Sequence, residues 1–347
     1  MADSETRTGD KMVPSRMPAW PDRPIWDTWL SLYQMPSLAA ADELRLFDAL
    51  ASEPMSAEAI AGRFSLNIDT LRALLPMLAA MDFLRVRGGR YELTPTSRTY
   101  LVTTSPYYWG HAFSIPRNNE ASRQVLEALK GSQGPTVHAD GWESGQIPYE
   151  LGIQIAAIMN SHSVPAALGV AENPRWKDVK HLLDVGAGSG CFAIAIAKAN
   201  PGMRTTVMDL PAMCEIAQLY IDDSGVSDSV DTAAVDMFRQ EWPRGHDACF
   251  FSNVFHDWNL ETNGELAAKA FESLPQGGSI HLHEMLIEDD GSGPLTTACF
   301  SMLMRLGTRG RQYSETELRT LLESVGFKDV AAVPSYGYYS LVSATKP

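Results

Sequence analysis

Hydrophobic positions in the first third of the chain recur every three to four residues. This spacing predicts helices over residues 38–50, 56–64 and 67–81. The last two begin at a serine and an asparagine, which are residues suited to helix N-caps. Two short apolar runs joined by Gly88 and Gly89 follow, and they predict a β-hairpin. Three helices and a hairpin together predict a winged helix.

From residue 179 onward, short apolar runs typical of buried strands alternate with helical segments. This alternation predicts an α/β fold of the Rossmann-like class, with a doubly wound parallel sheet. Ser314, Glu317 and Gly326 carry the N-cap, capping-box and C-cap signals of one further helix. The last two strands should form an antiparallel hairpin at the sheet edge. The predicted strands span residues 181–185, 204–208, 231–235, 247–254, 279–286, 329–333 and 338–344, and the helices span 191–199, 213–221, 260–273 and 314–326.

These patterns divide the chain into four parts. We expect a flexible N-terminal arm over residues 1–24, a winged-helix-like dimerisation domain over 25–105, a helical connector over 106–178 and a ligand-binding domain over 179–347. The connector is rich in aromatic residues. Because binding sites form preferentially at domain interfaces, we expect Trp109 and Phe113 to face a cleft there.

Charge and composition limit the kinds of partner that the chain can bind. The formal net charge of −14 over 347 residues disfavours nucleic acid, whose binding requires Lys and Arg. The helix predicted over residues 67–81 carries Arg72 as its one cation, so it suits burial in a protein interface better than DNA recognition. Apolar runs of membrane-spanning length and a signal peptide are both absent, which predicts a cytoplasmic protein with no membrane partner. Four dispersed cysteines suggest neither a zinc site nor a disulfide framework.

A glycine-rich turn after the strand at residues 181–185 carries the strongest chemical signal. Gly186, Gly188 and Gly190 let the backbone turn tightly and lie directly against a ligand. Asp184 precedes the turn, and Asp209 ends the next strand, where a carboxylate can accept hydrogen bonds from ribose hydroxyls. The third glycine of the dinucleotide fingerprint is replaced by a cysteine. The pattern therefore favours a ligand without a pyrophosphate, such as S-adenosylmethionine.

The later strand ends add further candidate groups. Asp236 and Met237, followed by Phe238, offer a carboxylate for an adenine amino group and an apolar wall for its ring. His256 follows the fourth strand on the same side of the sheet, and an imidazole can accept a proton from a hydroxyl near neutral pH. It is the candidate general base. A phenol has a pKa of about 10, so an imidazole suffices and no metal is expected.

A metal cluster made of His256 and fifth-strand residues is the competing hypothesis. Alternation along that strand places His281 and His283 on one face and Glu284 on the other, which argues against such a cluster.

Taken together, the motifs resemble those of the plant-type small-molecule O-methyltransferases, a family that includes caffeate and acetylserotonin methyltransferases, and of their bacterial relatives. The resemblance covers nearly the whole chain. It rests on DVGAGSG at residues 184–190, MDLP at 208–211, VDMF at 235–238 and HDW at 256–258, in this order and spacing.

This resemblance implies a homodimer formed through the N-terminal domain and a C-terminal domain that binds S-adenosylmethionine. It implies His256 as general base, oriented by Glu284, with Asp257 as the competing candidate for the orienting role. The implied substrate is a small aromatic metabolite, phenolic or polyketide-like. The residues implied to hold the cofactor are Asp184, Gly186, Gly188, Gly190, Asp209, Leu210, Asp236, Met237, Phe238 and Ser252, and those implied to line the substrate pocket include Met159, His162 and Met302.

Two positions depart from the family pattern. Gln312 stands where plant members often have a second glutamate, and Ser252 replaces a lysine that contacts the cofactor. Methylation of carbon or nitrogen, or a reaction without methyl transfer, is the main alternative on this scaffold. A NAD-dependent oxidoreductase and a winged-helix transcription regulator are more remote alternatives.

Overall fold

The computed structural model describes residues 12–131, 141–142 and 144–347, and the N-terminal part of these is mainly helical. Strands β1 (Leu84–Arg87) and β2 (Arg90–Leu93) form the predicted hairpin, with positive φ at both glycines of its turn. The helices up to the sheet domain are α1 (Arg23–Leu30), α2 (Gln34–Glu43), α3 (Leu46–Ser52), α4 (Ala57–Phe64), α5 (Ile68–Ala80), α6 (Pro95–Tyr100), α7 (Ser114–Arg117), α8 (Glu120–Leu129) and α9 (Tyr149–Ala171).

The N-caps of α4 and α5 are confirmed, but the single helix predicted over residues 38–50 is wrong. Ser56 Oγ accepts a hydrogen bond from the Ala59 amide, and Asn67 Oδ1 accepts one from the Thr70 amide. Between α2 and α3 the backbone of Arg45 takes a left-handed conformation, with φ of 57°. The apolar spacing continues across this break because both helices bury residues in the same core, so the break leaves no mark in the hydrophobic pattern.

The described part of the N-terminal arm contacts the rest of the chain at Met12 and Val13. Val13 is fully buried, and its carbonyl accepts a hydrogen bond from Lys198 Nζ at 3.0 Å. The Met12 amide donates to Asp223, and the Met12 carbonyl accepts from Asn160. Val13 is the buried apolar residue of this part of the arm, and residues 1–11 lie outside the described residues.

Helix α5 joins the two halves of the chain. Its apolar faces are fully buried, and it packs against α13 (Leu295–Gly307). Arg305 of α13 donates to Thr70 Oγ1 at 2.8 Å and to Asn67 Oδ1 at 3.3 Å, at the start of α5. Helix α5 is therefore buried by other parts of the same chain, as its apolar faces predicted. A helix buried in this way cannot enter a DNA groove as a recognition helix.

The second half of the chain is built around a seven-stranded sheet. Its strand order is β5-β4-β3-β6-β7-β9-β8; the first five of these strands are parallel, and β9 runs antiparallel to both of its neighbours. The strands are β3 (His181–Val185), β4 (Arg204–Asp209), β5 (Val230–Ala234), β6 (Ala248–Ser252), β7 (Ser279–Met285), β8 (Lys328–Pro334) and β9 (Tyr339–Thr345), and the remaining helices are α10 (Cys191–Ala199), α11 (Pro211–Ser224), α12 (Leu260–Ser273) and α14 (Glu315–Val325).

This order confirms the predicted parallel sheet and its C-terminal antiparallel hairpin. The chain runs outward from β3 through β4 to β5 and then returns to β6 on the other side of β3. The carboxyl ends of β3 and β6 therefore flank a topological switch point, where ligands bind in sheets of this kind. The predicted capping box of α14 is present as well: Ser314 Oγ accepts from the Glu317 amide, and Glu317 Oε2 accepts from the Ser314 amide.

All four cysteines are buried and free of disulfides. Among the described residues, helices with the length and apolar character needed to span a membrane do not occur.

Candidate active site

The glycine turn between β3 and α10 opens onto a cavity of about 310 Å³ at the switch point. Gly186, Gly188 and Gly190 all have left-handed backbones, with φ between 57° and 72°. A Cβ on Gly186 or Gly190 would lie 3.1 Å from a valine methyl group, whereas one on Gly188 would meet no atom within 4 Å. The loop thus packs tightly on the protein side and leaves open space on the cavity side, as a backbone cradle for a ligand requires.

Two buried aspartates lie at this turn, and one of them bonds to it directly. Asp209 Oδ2 accepts a hydrogen bond from the Gly188 amide at 2.8 Å, and Oδ1 accepts from the Leu210 amide at 2.7 Å. Burial raises the pKa of Asp209 to about 6 although these bonds oppose the shift. Asp184, deeper in the wall, accepts one bond from the Ala193 amide, and burial raises its pKa to about 8. Both residues line the cavity.

The loop after β5 forms a second wall of the cavity. Asp236, Met237 and Phe238 all line it. Asp236 Oδ2 accepts a hydrogen bond from Arg239 at 2.7 Å, and Oδ1 accepts from the backbone amides of Phe238 and Arg239. Partial burial opposes ionisation, but these bonds together with the charge of Arg239 outweigh it and lower the pKa of Asp236. Lys269 of α12 donates to three carbonyls of the loop, those of residues 237, 238 and 240. The loop is therefore fixed by a cation from a neighbouring helix.

His256 lies in a 3-10 turn, Phe255–Asp257, that follows β6. Asn263 of α12, itself fully buried, donates to the carbonyls of Phe255 and Trp258 on either side of the histidine. Gly310 packs directly over this turn, so closely that a Cβ there would lie 2.1 Å from the His256 carbonyl oxygen. The imidazole is 4% exposed and lines the cavity.

The two ring nitrogens of His256 meet different groups. Nδ1 lies 3.2 Å from Glu284 Oε2 and 2.9 Å from the side-chain amide nitrogen of Gln312. Nε2 lies 3.7 Å from Asp257 Oδ1. Glu284 Oε1 also accepts from the amides of Val254 and Phe255 and so anchors the same turn. Glu284 therefore lies at Nδ1, and Asp257 lies beside Nε2.

Electrostatics at His256 favour the imidazolium. Burial alone would lower its pKa, but the carboxylates of Glu284 and Asp257 outweigh burial and raise the pKa above its usual value. For Asp257 the balance is the opposite, because burial raises its pKa to about 6 against the attraction of His256.

An aromatic wall closes the end of the cavity beside His256. Phe300 of α13 meets the His256 ring edge-on at 5.2 Å between centroids. The ring centroids of His162 of α9 and Trp29 of α1 are 6.0 Å apart. Phe300, His162 and Trp29 all line the cavity. Burial lowers the pKa of His162 to about 4, so its ring is neutral at pH 7.

Of the predicted substrate residues, Met159 and His162 line the cavity, whereas Met302, Trp109 and Phe113 do not. In α13 the lining positions are 300, 303, 304 and 307, which is one helical face, and Met302 therefore points into the core. Trp109 is 60% exposed and Phe113 is buried in the core. The connector around them is tied to the N-terminal helices, since Tyr108 donates to Asp42 of α2 at 2.8 Å.

The two histidines of β7, His281 and His283, form hydrogen bonds with serine hydroxyls. His281 contacts Ser279 and Ser343, and His283 contacts Ser252 and Ser335, each at 2.8–3.0 Å. Burial lowers the pKa of both imidazoles to about 3. Ser252 thus meets His283 while also lining the cavity. A metal-binding group of three His, Cys, Asp or Glu side chains does not occur within the described ranges.

Several residues that shape the site escaped sequence reasoning. Lys269 and Asn263 are ordinary helix residues in the sequence, and only the fold brings them to the loop carbonyls. Phe300 and Trp29 come from the helices that cover the cavity. Gly310 could have been suspected as a site of close backbone approach, but its partner is 54 positions away.

A parallel sheet with this switch point, a glycine turn and an acidic residue at the next strand end is Rossmann-like, and the antiparallel β9 between β7 and β8 gives it the architecture of a class I S-adenosylmethionine-dependent methyltransferase. Sequence comparison agrees: an O-methyltransferase domain matches residues 138–328 and an O-methyltransferase dimerisation domain matches residues 26–103. The chain belongs to this O-methyltransferase family.

Individual relatives extend over nearly the full length. A 3-hydroxy-5-methyl-1-naphthoate 3-O-methyltransferase from Streptomyces sahachiroi is 31% identical over 89% of this chain and 90% of its own. The N,N-dimethyltransferase OxyT from Streptomyces rimosus is 28% identical over 85% and 88% of the two chains. The crystal structure of an O-methyltransferase family 2 protein from Planctomyces limnophilus in complex with apigenin has a TM-score of 0.85, 28% identity and coverage of 97% and 99%.

Proposed function

We propose that this protein transfers a methyl group from S-adenosylmethionine to a hydroxyl of a small aromatic metabolite, with His256 as the general base. The observation that carries the proposal is the setting of the His256 imidazole. His256 lines the cavity, and its Nδ1 is 3.2 Å from the buried Glu284 carboxylate, which leaves Nε2 as the ring nitrogen for a bound acceptor. A base held from behind by a carboxylate, at the carboxyl ends of the strands, is suited to removing a proton from a bound hydroxyl.

The cofactor fits the groups on the glycine side of the cavity. Gly188 presents open space, Asp209 and Asp236 offer carboxylate oxygens, and Met237 and Phe238 offer apolar surface. Asp209 already holds the Gly188 amide, so it would couple the position of the loop to that of the ligand. When bound, the cofactor supplies a methyl group activated by a positively charged sulfur.

The residues of the chain then have three tasks. The aromatic wall aligns a flat acceptor, which supplies much of the rate advantage of a displacement reaction. His256 Nε2 takes the proton of the acceptor hydroxyl as the oxygen becomes nucleophilic. Glu284 keeps the other proton on Nδ1 and stabilises the imidazolium that results, with the Gln312 amide turned so that its oxygen, which has no other partner among the described residues, faces Nδ1 in place of its nitrogen.

Methyl transfer from labelled S-adenosylmethionine to a panel of phenols, catechols, hydroxyindoles and hydroxyquinones tests the proposal. We expect a product heavier by one methyl group, with the methyl on oxygen by NMR. A methyl group on carbon or nitrogen would instead assign the alternative chemistry. The relatives do not decide this point, since one is named for a naphthoate 3-O-methylation and another for an N,N-dimethylation.

Removing the Asp209 carboxylate should weaken cofactor binding. Asp209→Ala deletes charge-assisted hydrogen bonds, which are worth about 1.5–3 kcal/mol each, so the Kd for S-adenosylhomocysteine should rise by roughly 10- to 100-fold. Isothermal titration calorimetry measures this change. Asp231→Ala, an exposed aspartate of the neighbouring strand, is the matched control. Equal affinities of the two variants would remove Asp209 from the cofactor site.

The pH dependence of the rate should reveal the effect of the Glu284 charge on the pKa of His256. The base must be neutral, so kcat/KM falls as pH decreases through the His256 pKa, which Glu284 raises. Glu284→Gln keeps an oxygen for the Val254 and Phe255 amides but removes the charge. The acidic limb should therefore move to lower pH, and the plateau rate should fall. Glu288→Gln, an exposed neighbour, should leave the limb in place. An unmoved limb in Glu284→Gln would contradict the assignment.

We further propose that the chain acts as a homodimer in the cytoplasm. The match to the dimerisation domain supports the dimer, together with exposed apolar residues along the N-terminal helices such as Ile25, Leu32 and Met35.

A further inference from the structure

Resting on the proposed function, we infer that the acceptor carries no anionic group. The enzyme methylates an uncharged aromatic hydroxyl compound and discriminates against the same ring system bearing a carboxylate.

The lining of the cavity supports this inference because it offers no cation to an anion. Among the described residues of the lining, lysine and arginine are absent, whereas four aspartates are present: Asp184, Asp209, Asp236 and Asp257. Arg239 lies beside the cavity, but it is bonded to the Asp236 carboxylate at 2.7 Å. A carboxylate moved from water into such a cavity would lose its hydration without gaining a charged partner.

The cost of placing an anionic group in the cavity is greatest beside His256, where the acceptor must lie. Its hydroxyl has to reach His256 Nε2, and Asp257 Oδ1 is 3.7 Å from that nitrogen. A negative substituent close to the reacting oxygen would therefore approach a carboxyl group that bears or can acquire a negative charge. The surrounding wall is apolar, with Phe300, Leu303 and Met304 from one face of α13. These side chains suit a flat ring and cannot hydrogen-bond an anion.

His162 does not supply the missing charge. It is the second imidazole of the described lining, and burial lowers its pKa to about 4. A neutral imidazole can hydrogen-bond to a hydroxyl or carbonyl substituent at no charge cost, but it is a poor partner for a buried carboxylate. The positive sulfur brought by the cofactor is the same for every acceptor and must face the attacking oxygen, so it does not compensate a second negative group on the ring.

A matched pair of acceptors tests the inference. The probes are 6-hydroxy-2-naphthoic acid and 6-hydroxy-2-naphthamide, which have the same ring, nearly the same shape and the same hydroxyl, and differ in charge at pH 7. A second pair, 4-hydroxybenzoic acid and 4-hydroxybenzamide, repeats the comparison on a smaller ring. We expect kcat/KM to favour the amide on the order of 100-fold, the size of penalty typical of a buried unpaired charge.

A variant at the cavity mouth makes the test independent of the ring chosen. Met159 lines the cavity and is 40% exposed, so Met159→Lys can place an ammonium group at the entrance. This variant should reduce the preference for the amide about tenfold, whereas its uncharged counterpart Met159→Gln should leave the preference unchanged.

The outcomes separate the two levels of the account. Equal use of acid and amide by the wild-type enzyme would overturn the inference and leave the proposed methyl transfer standing. A preference for the amide that Met159→Lys and Met159→Gln alter equally would also overturn it, because charge would then not be the cause. Absence of transfer to every acceptor would overturn the proposed function and, with it, this inference.

Discussion

Replacement of His256 by asparagine should lower kcat/KM for methyl transfer by 10²- to 10⁴-fold, the range contributed by a positioned general base. The proton of the acceptor hydroxyl would then have to leave to water, from which the imidazole setting is largely shielded, since His256 is 4% exposed. Binding of S-adenosylhomocysteine should change little, because the groups proposed to hold it lie on the glycine side of the cavity. The assay is the initial rate with the best acceptor of the panel.

The matched control for this variant is His111→Asn, which removes an exposed histidine of the connector. It should retain the wild-type rate. A wild-type rate in His256→Asn would show that the acceptor ionises unaided or that another group takes the proton. Loss of both cofactor binding and folding in His256→Asn would indicate a structural effect, which thermal unfolding of the variant detects.

A methyl group added at Gly310 should also reduce activity, by about 100-fold, for a different reason. In Gly310→Ala the new Cβ would lie 2.1 Å from the His256 carbonyl oxygen and 2.6 Å from the Trp258 amide nitrogen. Both are backbone atoms, so the segment carrying the base must shift by about 1 Å or more. A misplacement of this size in an active site can cost about 100-fold in rate. Overpacking should also destabilise the fold by about 1–3 kcal/mol.

Gly264→Ala provides the contrast. Gly264 lies inside α12, and a Cβ there meets no atom within 4 Å. This substitution should stabilise the protein by up to about 1 kcal/mol through helix propensity and leave the rate unchanged. Comparing kcat and the free energy of unfolding for the two variants separates a local clash from a general effect of glycine replacement. Full activity in Gly310→Ala would contradict the close approach.

The fold was predictable from sequence wherever the signal was local. The glycine turn, the strand ends and the capping box of Ser314 and Glu317 are short patterns whose conformation depends on neighbouring residues, and the structure has the turn, the strands and the box. The break at Arg45 was not predictable, because a left-handed arginine has no sequence signature and the apolar spacing continues on both sides. Docking of Val13 likewise depends on a contact with a distant part of the chain.

Candidate site residues divide along the same line. Those at strand ends lie at the cavity because the topology of a parallel sheet brings its carboxyl ends together. Met302, Trp109 and Phe113 were chosen by family pattern or by aromatic character, and the structure places none of them on the lining. Met302 is off the lining because the face of α13 that borders the cavity carries residues 300, 303, 304 and 307. Trp109 and Phe113 are off the lining because their segment is attached to α2 through Tyr108 and Asp42.

Gln312 shows how a departure from the family pattern acquires a physical meaning. Its side-chain amide lies 2.9 Å from His256 Nδ1, beside Glu284, so the ring is flanked by one carboxylate and one neutral amide. A second glutamate would raise the His256 pKa further by attraction to the imidazolium. This arrangement orients the ring and adds no second charge.

The central claim is that His256 removes the proton of an acceptor hydroxyl, and acceptor acidity tests it most directly. The measurement is the ratio of kcat/KM between the wild-type enzyme and His256→Asn, over a series of substituted phenols whose pKa values fall from about 10 to about 7. We predict a ratio that is large for the weakest acid and shrinks steadily as the phenol ionises unaided, because a base is then no longer needed. A ratio that stays constant across the series would contradict the assignment of His256 as general base.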